Sequence, residues 1–320
     1  QDEFWYAMSL VPHHISALVN AGAQVVLMSA TIPSTLLEEI SDIVGKHRME
    51  NIVAADTPLR GEIKQLILEN KPLPESGSEL LEIIKNCAQA NNIEELPALI
   101  IVNKIEKAVR IYANLLKRIK EENLDIDVVL LHSRLRQGYR QWVEEKVERL
   151  QKRARNSNTI LIATQVVEAG LDFDVSILLT EISPIDSLIQ RIGRCARKRD
   201  GCVVIFTDTE AGKGVYLKDP MDITASTIED REDELKQTIK DIKVAQDLVD
   251  AVYKKEVIDK IKKRACELGL KIGYVRNWTQ NFMSHIFSRP AHQMRVPLLR
   301  VGREYLCWAA IKSQPPAVDY

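Results

Sequence analysis

Between about residues 97 and 207, short apolar runs alternate with amphipathic stretches. Ala98–Val102, Val128–Leu131, Thr159–Ala163, Ile177–Thr180 and Cys202–Phe206 are continuous apolar runs with little polar interruption, the pattern of strands buried on both faces. After the first run, Ile105, Ala108, Val109, Tyr112, Leu115, Leu116 and Ile119 recur at helical spacing. A polar helix is expected from about 137 to 153, and another around Ser187–Cys195. Continuous strands alternating with helices predict an α/β domain, a parallel sheet joined by right-handed crossovers.

The flanks read differently. A helical segment near 6–21 precedes an expected strand, Gln24–Met28, and then Ser29, Ala30 and Thr31. One strand with one or two helices cannot cover both faces of a sheet, so residues 1–60 are expected to be the tail of a preceding α/β domain. Pro72, Pro74 and Gly77 mark a connecting loop. The complete domain is expected over 61–215, and a mostly helical accessory region over 216–320. Within the latter, Leu235, Ile239, Ile242, Ala245, Val249 and Val252 form one apolar stripe, as for an amphipathic helix packed on the preceding domain. The last fifty residues mix aromatics, Arg and Pro without a readable motif.

Composition narrows the function classes. The 320 residues are 45% hydrophobic and 28% charged, with a formal net charge of −1. That excludes a globally basic nucleic-acid coat but not a local basic groove. No apolar run is long enough to span a bilayer, and Gln1–Trp5 is acidic and aromatic, unlike a signal peptide. Five cysteines without a C-x-x-C pair fit a reducing cytoplasm better than a disulfide or zinc framework. The sequence contains no G-x-x-x-x-G-K-[ST], so the chain carries no phosphate-cradling loop of its own.

Gln190-Arg191-Ile192-Gly193-Arg194-Cys195-Ala196-Arg197 carries the strongest chemical signal. If helical, Arg194 and Arg197 share a face, and two guanidiniums together suit the spread charge of a transferring γ-phosphoryl group. A basic surface helix is the plainer alternative. Ala163–Asp172 starts at a strand's carboxyl end, where open parallel sheets bind ligands. Thr164 there suits a nucleic-acid phosphate and Asp172 a ribose hydroxyl, unless they merely cap a helix and fill a turn. Asp2 and Glu3 suit Mg²⁺ and an attacking water, or are frayed acidic residues. His132, Ser133 and Arg134 follow a strand, and Arg136, Arg140, Lys146 and Arg149 continue the basic character. They line a phosphate-tracking groove, or a solvated face offset by Glu144, Glu145 and Glu148.

In order, these segments resemble the back half of a superfamily 2 DExD/H-type helicase. Ala163–Asp174 and Pro184–Arg197 are similar, more narrowly, to the CRISPR-associated helicase of type I interference systems. The resemblance covers roughly residues 1–207 and is specific across 160–197. It implies RecA-like parallel sheets, with ATP and Mg²⁺ between two such domains and single-stranded DNA across them. Asp2 and Glu3 would be the Mg²⁺-ATP and water-activating pair, with Asp2 the metal ligand. Ser29 and Thr31 would couple hydrolysis to strand movement. His132, Ser133, Arg134 and Thr164 would touch the DNA backbone. Asp172, Gln190 and Arg191 would hold the nucleotide, and Arg194 and Arg197 would meet its phosphates.

Trp5 stands where a His or Asp usually completes the D-E-x-x element, and Lys104 follows Asn103 where Thr is commoner. The family moves 3′ to 5′, is recruited by a guide-RNA surveillance complex, and works with an HD-type nuclease, for which this chain has no paired His-Asp element. The expectation is therefore the C-terminal half of an ATP-dependent DNA motor in antiviral defence, inactive alone. Another superfamily 2 DNA or RNA helicase, or a non-catalytic nucleic-acid-binding module, is the alternative.

Overall fold

The computed structural model describes residues 12, 14–20, 22–27, 29, 31–46, 61–93, 97–152, 158–168, 174–267, 295–299 and 306–310. The chain divides into two compact units, Ala54–Val252 and a second made of Gln1–Val53 with Tyr253–Tyr320.

In the second of these, residues 14–20 are helical and α1 spans Ser34–Val44. Leu36, Ile40 and Val44 recur every fourth residue on α1 and close over Ile15, a small core of their own. The strand expected at Gln24–Met28 is not formed. Gln24–Leu27 lies in no sheet, and Val26 is 78% exposed. An apolar run becomes a strand only where neighbours take its backbone hydrogen bonds, and none runs beside this one among the described residues.

The larger unit is the expected parallel sheet covered by helices. Its elements run β1 (Ile63–Glu69), α2 (Gly77–Ala90), β2 (Pro97–Ile101), α3 (Ile105–Glu121), β3 (Asp127–Leu131), α4 (Gln137–Lys152), β4 (Thr159–Ala163), β5 (Ile177–Glu181), α5 (Ile185–Ile192), β6 (Gly201–Phe206), α6 (Lys218–Asp230), α7 (Glu232–Gln237) and α8 (Ile242–Val252). The six strands lie in the order β1-β6-β5-β2-β4-β3, every neighbouring pair parallel.

Alternate residues of each strand serve opposite faces, which is why the runs are continuous. Ala98 and Ile100 of β2, with Ile160 and Ile162 of β4, join Leu80, Ile84, Ala108, Ile111 and Leu115 of α2 and α3 in one core. Leu99, Ile101 and Leu161 are equally buried on the other face. Gly77 opens α2 where a Cβ would stand 2.5 Å from the Asn114 carbonyl oxygen, so the α2–α3 approach requires glycine.

Three differences from expectation have physical reasons. α3 buries Ala108, Ile111, Leu115 and Ile119, while Val109 is 43% exposed; the stripe is rotated because the strands behind it select the face. α5 stops at Ile192, before Arg194 and Arg197, rather than continuing to Cys195. The stretch after β6 is several short helices rather than one. α8 packs against α5, α6 and α7 and buries Ala245, Leu248, Val249 and Val252, leaving Ile242 partly exposed.

Beyond Val252, α9 (Lys255–Glu267) packs against α1, with Lys262 Nζ 2.5 Å from Glu39 Oε2. β7 (Arg295–Leu299) and β8 (Leu306–Ala310) form an antiparallel ribbon inside the region expected to be mostly helical.

Candidate functional site

The chain runs outward from β2 to β3, returns to β4 beside β2, and then crosses to β5 on β2's other side. That reversal makes the carboxyl ends of β4, β2 and β5 the sheet's topological switch point, where open α/β sheets bind ligands. Here one side chain occupies it. Arg191, the last full turn of α5, is wholly buried. Its Nε donates to Glu168 Oε1 at 2.7 Å. Nη1 donates to Thr180 Oγ1 at 3.2 Å and to the Glu181 carbonyl at 3.0 Å. Nη2 donates to Asn103 Oδ1 at 3.0 Å and to the Tyr216 hydroxyl at 2.9 Å. A guanidinium has five N–H donors, and each has a protein acceptor.

Arg191 was expected among the nucleotide contacts. In this structure each of its donors meets a protein acceptor, and the side chain ties the segments after β2, β4 and β6 to the end of β5. The network continues outward. Glu181 accepts from the Asn103 backbone N–H at 2.6 Å and pairs with Lys107 at 2.7 Å. Asn103 donates to the Ile182 carbonyl and accepts at its own carbonyl from Gln165 Nε2. Two carboxylates thus face two cations, so burial leaves no uncompensated charge. Burial pushes the Tyr216 phenol up to about 12 against the opposing pull of Arg191, so it stays a neutral hydroxyl.

Arg194 and Arg197 would share a face if helical. They stand instead on the turn after α5, in which Ala196 adopts φ 58°. Arg194 donates through Nη2 to the Glu168 backbone carbonyl. Its own carbonyl accepts from Val175 N–H at 3.1 Å. The Asp174 carboxylate accepts from the backbone N–H of Arg197 at 2.8 Å and of Lys198 at 3.1 Å, and Arg197 Nε donates to the Gly193 carbonyl at 2.7 Å. Burial raises the Asp174 carboxyl pKa despite these donors. The turn lies tight on the sheet: a Cβ at Gly201 would sit 2.6 Å from Cys195 Sγ. Gln190 is exposed on α5, while Arg194 and Arg197 are half-buried.

At the other edge, Thr164 N–H donates to the Leu131 carbonyl at 3.2 Å, which sets Thr164 beside His132. Thr164 is buried, and its hydroxyl does not cap the short turn Gln165–Val167 that follows. His132 Nδ1 accepts from Arg134 N–H at 3.2 Å. Burial, then the Arg134 guanidinium, holds this imidazole below its ordinary pKa, so it is neutral. Ser133 and Arg134 are exposed, with Arg134 Nη1 3.4 Å from Glu106.

The structure therefore brings His132, Ser133, Arg134 and Thr164 to one end of the carboxyl edge, and Gln190, Arg191, Arg194 and Arg197 to the other. Ser29 and Thr31 belong to the other unit, where Ser29 Oγ donates to the Thr31 carbonyl at 2.8 Å. Asp2, Glu3 and Asp172 lie outside the described residues. Among the described residues no group of three His, Cys, Asp or Glu side chains is placed to hold a metal ion, and no helix is long and apolar enough to cross a membrane. Sequence reasoning passed over Asn103 as an Arg191 partner, and Glu181 and Tyr216 altogether. A Thr-Glu pair closing a buried strand was the available signal for the second.

Residues 94–200 match the family described as CRISPR-associated nuclease/helicase Cas3, C-terminal. The CRISPR-associated helicase Cas3 of Thermoproteus tenax is 30% identical over 285 residues, 86% of this chain and 44% of that protein. The CRISPR-associated nuclease/helicase Cas3 of Methanothermobacter thermautotrophicus is 29% identical over 260 residues, 75% of this chain and 29% of the relative. The chain thus spans less than half the length of either. Among solved structures, T. fusca Cas3 with ADP superposes with a TM-score of 0.62 at 20% identity, covering 86% of this chain and 37% of that one, a likeness of fold. The six-stranded sheet is a RecA-like domain, and over residues 94–200 the chain is similar to the C-terminal helicase region of the Cas3 family.

Proposed function

We propose that this chain is the second motor half of an ATP-dependent, 3′-to-5′ single-stranded-DNA translocase acting in CRISPR type I interference. The observation that supports the reading most is the presentation of Arg194 and Arg197. Their turn is tied to the Glu168 carbonyl on one side and to the Asp174 carboxylate on the other. A guanidinium held by fixed backbone loses little freedom when it meets the charge that develops on a transferring phosphoryl group. In this reading Gln190 contacts the nucleotide beside them, and Asp172 holds its ribose. Asp2 and Glu3 are the proposed Mg²⁺-ATP pair, and Ser29 and Thr31 couple turnover to movement.

His132, Ser133, Arg134 and Thr164 meet the DNA backbone from the far end of the same edge. The chain has no phosphate-cradling loop, so alone it is expected to turn over no ATP. One relative is named a nuclease/helicase and one similar solved structure is a CRISPR RNA-guided surveillance complex, which supports an HD-type nuclease and such a complex as partners. A cytoplasmic setting is part of the same proposal.

With an upstream phosphate-binding half supplied, Arg194→Ala should lower DNA-stimulated ATP hydrolysis about 10³-fold or more while DNA binding persists. Hydrolysis at the unmodified rate would overturn the assignment. Stimulation by RNA but not by single-stranded DNA would move the chain to another superfamily 2 motor. Strand binding with no response to ATP would make it a binding module.

A further inference from the structure

α4 leaves the His132–Arg134 turn and exposes two aromatic side chains in its first two turns, Tyr139 at 40% and Trp142 at 47%. Aromatic residues are only 5% of this chain, so a surface pair is an unusual use of them. The two rings stack on each other, centroids 5.4 Å apart at 29°. Lys146, one turn further along, holds its Nζ 5.4 Å from the Trp142 ring centre while pairing with Asp127 at 3.3 Å. Val143 and Val147, on the neighbouring side of the same helix, are buried. The helix is therefore anchored through Val143 and Val147 and leaves the aromatic rings beside them exposed, with cations around them. Arg136 and Arg140, both exposed, flank the pair.

We propose that Tyr139 and Trp142 form a stacking platform for the bases of single-stranded DNA, continuing the strand's path outward from His132 and Thr164. The proposal rests on the single-strand reading above and adds a base-directed subsite to a backbone-directed one. Every base has a π-face, so such a platform gives affinity without sequence preference, and neighbouring cations take the phosphates. The mixture of ring faces with Lys and Arg favours a polyanion over an apolar protein surface.

The test is a fluorescence titration of the chain with an oligothymidylate of about a dozen nucleotides and with an abasic strand of equal length. Trp142→Ala and Tyr139→Ala should each weaken oligothymidylate binding roughly 5- to 150-fold. Abasic-strand binding should stay within about twofold, since phosphate contacts are untouched. Trp142→Phe should keep most of the affinity while removing the part of the quenching that belongs to Trp142. Unchanged oligothymidylate affinity in Trp142→Ala overturns the platform and leaves the motor reading standing. Equal losses on both strands overturn it too, since stacking cannot act on an abasic strand. If the unmodified chain binds neither strand, the platform and the single-strand reading fall together.

Discussion

On the β5 side of the carboxyl edge Arg191 is wholly buried and gives all its N–H groups to protein acceptors, whereas on the β3 side Arg134 is exposed and meets Glu106 at 3.4 Å. Both arginines sit in segments that resemble helicase motifs, and their chemistry is identical. What differs is the cost of moving them. A hydrogen bond to a charged group contributes about 1.5–3 kcal/mol, and Arg191 would forfeit several to reach a ligand. Arg134 would exchange one screened ion pair for a phosphate. The first region fixes positions, and the second can exchange its partner. Arg194 stands between them, half-buried, its backbone and one Nη held, and so inherits its placement from the Arg191 network through Glu168.

The sharpest way to break this contrast is to remove Arg191. Arg191→Ala leaves the Glu168 carboxylate without its cation in a nearly closed site, and breaking such a pair costs about 3–5 kcal/mol. Urea unfolding should show that loss. Arg191→Lys should recover only part of it, because an ammonium cannot direct five bonds in a plane. A loss below about 1 kcal/mol in Arg191→Ala would place Arg191 with Arg134 as a surface cation. Tyr216→Phe asks the same question more gently. It removes one acceptor from Arg191 Nη2 and should cost about 1–2 kcal/mol by the same measurement.

The two regions were also unequally legible. Strands β2 to β6 announce themselves because burial on both faces leaves no polar interruption. β1 does not: it is an edge strand like β3, but Lys64 and Gln65 break its run whereas Val128–Leu131 is uninterrupted. Arg194 and Arg197 are readable as phosphate chemistry, but that they leave the helix is decided by the Val175–Cys195 bridge and by Asp174, about twenty residues upstream. Arg191 is where residue type conceals most. A guanidinium is usually solvent-facing, and its burial here depends on Asn103, 88 positions away, and on Tyr216 beyond β6. Tyr139 and Trp142 stand as an i, i+3 pair that went unread, because they lie in a helix whose charges dominate its appearance.

On the β3 side a smaller effect should follow pH. Burial and Arg134 lower the His132 pKa in the folded chain, so protonation favours the unfolded state. The resulting stabilisation is complete above the ordinary value of 6.5 and is lost as pH falls below it toward the lowered one. His132→Gln should flatten that part of a stability-against-pH curve. If the curve keeps its slope in the variant, another group owns it.

Arg134→Ala should produce the smallest change in stability and so completes the contrast. The Arg134–Glu106 pair has side chains 69% and 64% exposed at 3.4 Å, where such pairs contribute about 0–1 kcal/mol. Unfolding should therefore shift little, while single-stranded DNA binding weakens about equally for every sequence and the salt slope falls by about one. A strand-independent loss with a shallower salt dependence identifies a phosphate contact, since counterion release scales with the charges neutralised. Were Arg134→Ala to unfold the chain as Arg191→Ala does and leave DNA binding intact, the β3 side would be structural as well. The edge would then keep only Gln190, Arg194 and Arg197 as candidates for contact.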